Sequence, residues 1–182
     1  MRGRLSRGRV RWVCMLLVSS AVLASPHTPK VGDEPPDVLG KAATGEAIHL
    51  GDYRGRIVVI SFFASWCGPC RKEVPMLMTL QQHATREKVI VISVNWRQGR
   101  DEFQHIRKIF TDQNTQITLV SDESGRAGEA YGVNGIPHMV IVGKDGRIVA
   151  IHRGYSEAAI PEIVDEINGA WRKPAPDDPN GT

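Results

Sequence analysis

Cysteine is scarce in this chain. Three residues, Cys14, Cys67 and Cys70, among 182 are too few for the disulfide framework that staples small exported domains. Long apolar runs are missing as well. None reaches the ~18 residues needed to span a bilayer. No second Cys pair or suitably spaced His pair accompanies Cys67 and Cys70, so a structural zinc site would lack half of its four ligands. Internal repeats are absent, which argues against solenoids and propellers. Gly40 and Gly45 are spaced as in a phosphate loop, but Glu46 stands where the lysine must be, and that match is discarded.

What is present begins with an asymmetry. Met1–Arg11 carries five arginines and no acid, then WVCMLLVSSAVLA forms a short apolar block before the polar SPHTPK. A basic stretch, a short apolar core and small residues at a cut before Ser25 (Val22 and Ala24) describe a secretory signal over residues 1–24. The alternative is the same segment retained as an anchor. A lipoprotein signal fits poorly, because Cys14 follows Arg-Trp-Val. The expected location is therefore exported: periplasmic, or extracytoplasmic and membrane-anchored. Removing the five arginines takes the formal charge from +3 to −2. The basicity is mostly targeting, and no nucleic-acid partner is implied. Only Cys67 and Cys70 then remain.

Residues 31–171 read as one α/β domain, and 172–182 as a polar, proline-rich, disordered tail. Two short strands, Pro36–Leu39 and Ala47–Leu50, are expected to pair across KAATGE. RIVVISFFA (Arg56–Ala64) is a continuous β-branched and aromatic run, the mark of a strand buried on both faces. A helix follows, with Cys70, Val74, Leu77, Met78 and Leu80 on its favoured face and Pro75 as a kink. Val89–Asn95 is a second buried strand. Phe103, Ile106, Ile109 and Phe110 mark an amphipathic helix over Asp101–Asp112. Further strands are expected at Ile117–Ser121, His138–Val142 and Arg147–Gly154, the last two joined through KDG. Ser156 is expected to cap a final helix reaching Trp171. The result is a mixed sheet with an antiparallel edge.

Between Arg56–Ala64 and the next helix stands WCGPC. This junction puts Cys67 at a helix N-terminus, where free amides and the dipole favour an anion and lower a thiol's pKa. Pro69 suits the first turn, where a missing N–H costs nothing. Cys70 lies one turn on, within disulfide reach and among apolar neighbours, so it is the more buried thiol. A bridge across two residues closes too small a loop to staple the fold. The pair is read as a redox couple: Cys67 attacks a substrate disulfide and Cys70 resolves the mixed disulfide. It needs no cofactor and no metal, and its partners are disulfide-containing proteins.

WCGPC, Pro75 five residues after Cys70, and Ile136-Pro137 before a strand resemble thioredoxins. YRGRIVVISFFASWCGPCRKEVPML, DESG, YGVNGIP and the KDG hairpin resemble the TlpA/ResA-like exported thioredoxins over Val31–Trp171. The resemblance implies a thioredoxin-like fold with an N-terminal strand extension and a central αβ insertion around Phe103–Phe110. It implies a thiol-disulfide oxidoreductase that reduces clients outside the cytoplasm, among them apocytochrome c or metalloprotein precursors. A protein reducing clients in an oxidising compartment must be recharged, so a membrane electron donor of the thiol-reductase type is expected. The resemblance also implies a cis Pro137 and a tuning role for Glu73, for which a solvated first-turn acid is the other reading. Trp66 is expected to shield and pack beside the thiols. Two positions depart from the pattern. Ser61 replaces a buried Asp of thioredoxins, and His138 follows the cis-proline where relatives carry Thr. His138 either sits beside the cysteines or is plain structure. Rival functions are a copper site from Cys67, Cys70 and His138, and peroxide reduction.

Overall fold

The computed structural model describes residues 28–113 and 115–174. The expected signal at 1–24, with Cys14, and the tail beyond Pro174 lie outside the described residues.

The chain enters through a hairpin of β1 (Val38–Lys41) and β2 (Ala47–His49). β1 starts two residues later than Pro36, which has no N–H to give a ladder. Asp37 instead accepts hydrogen bonds from the Gly51 amide and pairs with His49, and Leu50 turns into a short 3-10 helix. Gly40 has φ +130°, and a Cβ there would collide with the carbonyl oxygen of Ser121. The glycine is what lets β1 approach the neighbouring strand so closely.

β3 (Ile57–Phe63) leads into α1 (Gly68–His83), β4 (Val89–Trp96), α2 (Arg100–Asp112) and β5 (Thr118–Asp122). α3 (Arg126–Ala130), β6 (His138–Val142), β7 (Ile148–Arg153) and α4 (Ile160–Arg172) complete the domain. The sheet order is β2-β1-β5-β4-β3-β6-β7. β3, β4 and β5 are parallel, and β6 and β7 form the expected antiparallel edge. The β1–β2 extension adds a second antiparallel flank on β5, and Tyr131 Oη donates to Pro36 O at 2.6 Å to hold it. α2 and β5 are the central insertion.

All seven residues of β3 are buried, as two-faced packing requires. Ile57, Val59 and Phe63 face one core with Leu77 of α1, Ile106 of α2 and Ile163 of α4. Val58, Ile60 and Phe62 face the other core with Leu39, Ala127 and Tyr131. Each such side chain contributes roughly 1.5–3 kcal/mol of burial, so β3 is the fixed frame from which the site projects.

Three helix details differ from the sequence pattern. On α1 the buried positions are Cys70, Glu73, Leu77 and Gln81, while Met78 and Leu80 lie on the flanks. Gln81 is buried because its amide serves β4: Nε2 donates to Val89 O and Oε1 accepts from Val91 N, a stretch of β4 that precedes its pairing with β5 at Ile92. On α2, Phe103, Ile106 and Phe110 are buried, but Ile109 is 41% exposed. Ser156 makes no capping hydrogen bond; it precedes a 3-10 turn, Glu157–Ala159, and α4 starts after it with Pro161 in its first turn, where the missing N–H is harmless.

Candidate active site

β3 ends at Phe63 and the chain turns sharply through Ser65 and Trp66 into α1. That turn is tied down by a side chain from after β4. Gln98 Oε1 accepts from Ser65 N at 2.8 Å, and its Nε2 donates to Ser65 Oγ at 2.9 Å. Asn95 Nδ2 donates to the same Gln98 oxygen at 2.6 Å. The sequence reading missed this brace, because its members are separated by about thirty residues and none is chemically unusual.

Cys67 is the N-cap of α1, and its sulfur accepts from Cys70 N at 3.1 Å. It is bonded to Cys70, with the two Cα atoms 5.2 Å apart. Both are buried, Cys70 completely and Cys67 to 4% exposure, so Cys67 is the sulfur nearer solvent. Cys67 Sγ also lies 3.7 Å from Ile136 O, and the Ile136–Pro137 bond is cis, as the resemblance implied. Arg71 reaches back to Ser65 O at 3.1 Å, so its guanidinium is engaged with the turn. Trp66 is 67% exposed, so most of its ring faces solvent.

Glu73 is buried, at 2% exposure, which rules out the solvated first-turn acid. It lies one turn after Cys70 on the inner face of α1. Ser61 Oγ donates to its carboxylate at 2.5 Å. Burial pushes the carboxyl up to about 7, partly opposed by the Ser61 hydrogen bond and by His152. Ser61, which replaces the expected Asp, is thus the hydroxyl that holds an acid supplied by the helix.

His138 faces away from the cysteines. It pairs with Phe62 across β3 and β6 and stacks edge-on to that ring at 6.1 Å, while its neighbour Met139 packs in the cysteine-side core. Successive strand residues point to opposite faces, so Cys67, Cys70 and His138 do not converge on one ion. Among the described residues no cluster of three or more His, Cys, Asp or Glu is arranged to hold a metal. His138 is fully buried and neither ring nitrogen has a partner among the described residues. Burial, with a smaller push from Arg153, lowers its pKa to about 4. The folded imidazole therefore resists a proton that the unfolded one takes up near 6.5. Its stability contribution is intact above that value and is lost as pH falls toward 4. His138→Leu is expected to keep about 2 kcal/mol at about pH 5 that the parent chain loses between about pH 7.5 and 5. Urea unfolding at the two pH values measures this, and equal acid sensitivity in both proteins refutes it.

The Redoxin family profile matches residues 30–167. The chain belongs to the Redoxin family. Among its relatives, the thiol:disulfide interchange protein HelX of Rhodobacter capsulatus is 32% identical over 146 residues, covering 80% of this chain and 77% of HelX. The thiol-disulfide oxidoreductase ResA of Bacillus subtilis is 24% identical over 158 residues, covering 85% and 87%. A solved structure named as thiol:disulfide interchange protein DsbE, from Chlorobium tepidum, superposes with a TM-score of 0.69 at 27% identity, covering 79% of this chain and 99% of its own. These likenesses confirm the thioredoxin-like fold and the TlpA/ResA-like group that the motifs implied. This redoxin is a thiol-disulfide oxidoreductase.

Proposed function

We propose that this redoxin is a disulfide reductase for exported client proteins, cycling through Cys67 and Cys70. The observation that carries the reading is the bonded pair at the N-terminus of α1, with the sulfur nearer solvent as the cap. In the reduced protein a Cys67 thiolate accepts the Cys70 amide and the helix dipole. It attacks one sulfur of a client disulfide. A Cys67–client bond forms, and the client's other sulfur leaves as a thiolate and takes a proton. Cys70, having lost its proton, attacks Cys67 Sγ. The Cys67–Cys70 bond forms, the client's second thiol is released, and two electrons have passed to the client. The pair carries these electrons without a separate cofactor. Glu73, buried one turn after Cys70 on the same helix face, receives the Cys70 proton and tunes the pair in this reading. The Ile136 carbonyl, just before cis Pro137, lies 3.7 Å from the attacking sulfur.

Electrostatics supports the reducing direction. The potential rises with the stabilisation of the reduced thiolate, and strong oxidants stabilise it heavily. Here the attacking sulfur has one amide, the nearby guanidinium is bound to Ser65, and a carboxyl is buried one turn away. Equilibration with glutathione buffers is expected to give a potential near that of reducing thioredoxins, about −270 mV, rather than the roughly −120 mV of a strong oxidant. A value near the latter reverses the direction of the cycle.

The arginine-rich segment 1–24 supports an exported or membrane-anchored setting. An oxidising compartment drains such a reductase, so a membrane thiol-reductase partner must return two electrons to the Cys67–Cys70 disulfide. Apocytochrome c and metalloprotein precursors are the client classes proposed.

A further inference from the structure

Glu73 sits at one end of a cross-strand row that has a second polar pair at its other end. Ser61 of β3 pairs with Met139 of β6, and Met139 pairs with His152 of β7. Cross-strand partners point to the same face, so Ser61, Met139 and His152 all project on the side of α1 and α4. At one end of the row Ser61 holds the Glu73 carboxylate. At the other, His152 Nε2 and Glu166 Oε2 of α4 lie 2.7 Å apart, with side chains only 18% and 26% exposed. The contact is half-buried, and it is an ion pair only when His152 carries its second ring proton.

From this juxtaposition we infer that His152, oriented by Glu166, is a positioning residue that sets the charge on Glu73 and, through it, the redox pair. The inference rests on the tuning role proposed for Glu73. Among the described residues Ser61 from β3 bonds that carboxyl, Cys70 is buried one turn away on its own helix, and His152 from β7 and Tyr155 just after β7 interact with it electrostatically. Tyr155 carries no charge near neutrality, because burial, then Glu157 and Glu73, raise its phenol. Arg153 has the opposite parity and acts on His138, and Arg71 is held at Ser65. Among the described residues His152 is thus the side chain whose protonated form can act on Glu73, against the burial that raises its carboxyl. Protonated His152 favours an ionised Glu73; an uncharged residue in its place leaves the carboxyl holding its proton to higher pH.

The test follows the ionisation of Glu73 directly, by the pH dependence of its side-chain carboxyl carbon resonance in the oxidised protein, with Glu73→Gln identifying the signal. The parent midpoint is expected at about 7. His152→Gln, which keeps a hydrogen bond to Glu166, moves it upward, and His152→Lys, which keeps a cation, moves it downward. The potential is measured over the same pH range for all three proteins, and its bend should move with the midpoint. A purely structural His152 would alter thermal stability and leave the midpoint in place, and an unmoved midpoint in both variants overturns the inference. A midpoint that moves while the potential does not follow refutes the link to the redox pair and, with it, the tuning role of Glu73.

Discussion

Cys70→Ser turns the protein into a trap: mixed disulfides between Cys67 and client proteins accumulate and appear as slower bands on non-reducing gels. Cys67→Ser abolishes exchange and traps nothing. The asymmetry comes from the geometry of the pair. Cys67 caps α1, accepts the Cys70 amide and is the less buried sulfur. Cys70 lies wholly inside, behind it. A client disulfide reaches Cys67 first, and the removal of Cys70 leaves no thiol placed to attack the mixed bond. In an insulin-reduction assay both variants should fall to the uncatalysed background. The gel separates them, and equal trapping by the two variants overturns the assignment of roles.

The frame that sets this asymmetry was legible in the sequence because it is written in local patterns. Arg56–Ala64 and Val89–Asn95 are unbroken β-branched runs, and such runs become central strands whatever surrounds them. WCGPC at a strand-to-helix junction fixed the place of the cap. Glu73 was not legible in the same way. An acid near a helix N-terminus ordinarily faces solvent, and its partner Ser61 is twelve residues away on another element. Only the packing of α1 on β3 brings hydroxyl and carboxyl together. The 3–4 spacing of Cys70, Glu73, Leu77 and Gln81 does contain the signal, but it is visible only if polar residues are allowed on an inner face. His138 shows the converse limit. Strand parity ties it to Val140 and opposes it to Met139, yet parity alone does not say which face meets the cysteines. Trp66 was placed by sequence adjacency to Cys67, and adjacency in a turn does not give two neighbours the same burial.

Glu73→Gln is expected to stabilise the oxidised protein by about 3 kcal/mol at about pH 8, with almost no gain at about pH 4.5. The folded carboxyl keeps its proton up to about 7, against 4.5 for an ordinary glutamate. Between those values the unfolded chain has released the proton and the folded chain has not. Folding then takes up a proton, so stability falls as pH rises through this window, and above it the whole penalty of burying the charge is present. A glutamine has the same shape and accepts the same Ser61 hydroxyl without a charge to bury. The gain in stability comes with a loss in function. Cys70 no longer has a buried base one turn away, so resolution of the mixed disulfide should slow by roughly 10²-fold, the lower end of what a positioned proton acceptor contributes. The potential should rise, because the reduced thiolate no longer faces a carboxylate. Urea unfolding at the two pH values and stopped-flow resolution of a Cys67–peptide disulfide measure the two halves. A variant no more stable than the parent at about pH 8 refutes the buried charge. One that is stabilised but resolves mixed disulfides at the parental rate leaves Glu73 a cost to the fold without a part in the chemistry.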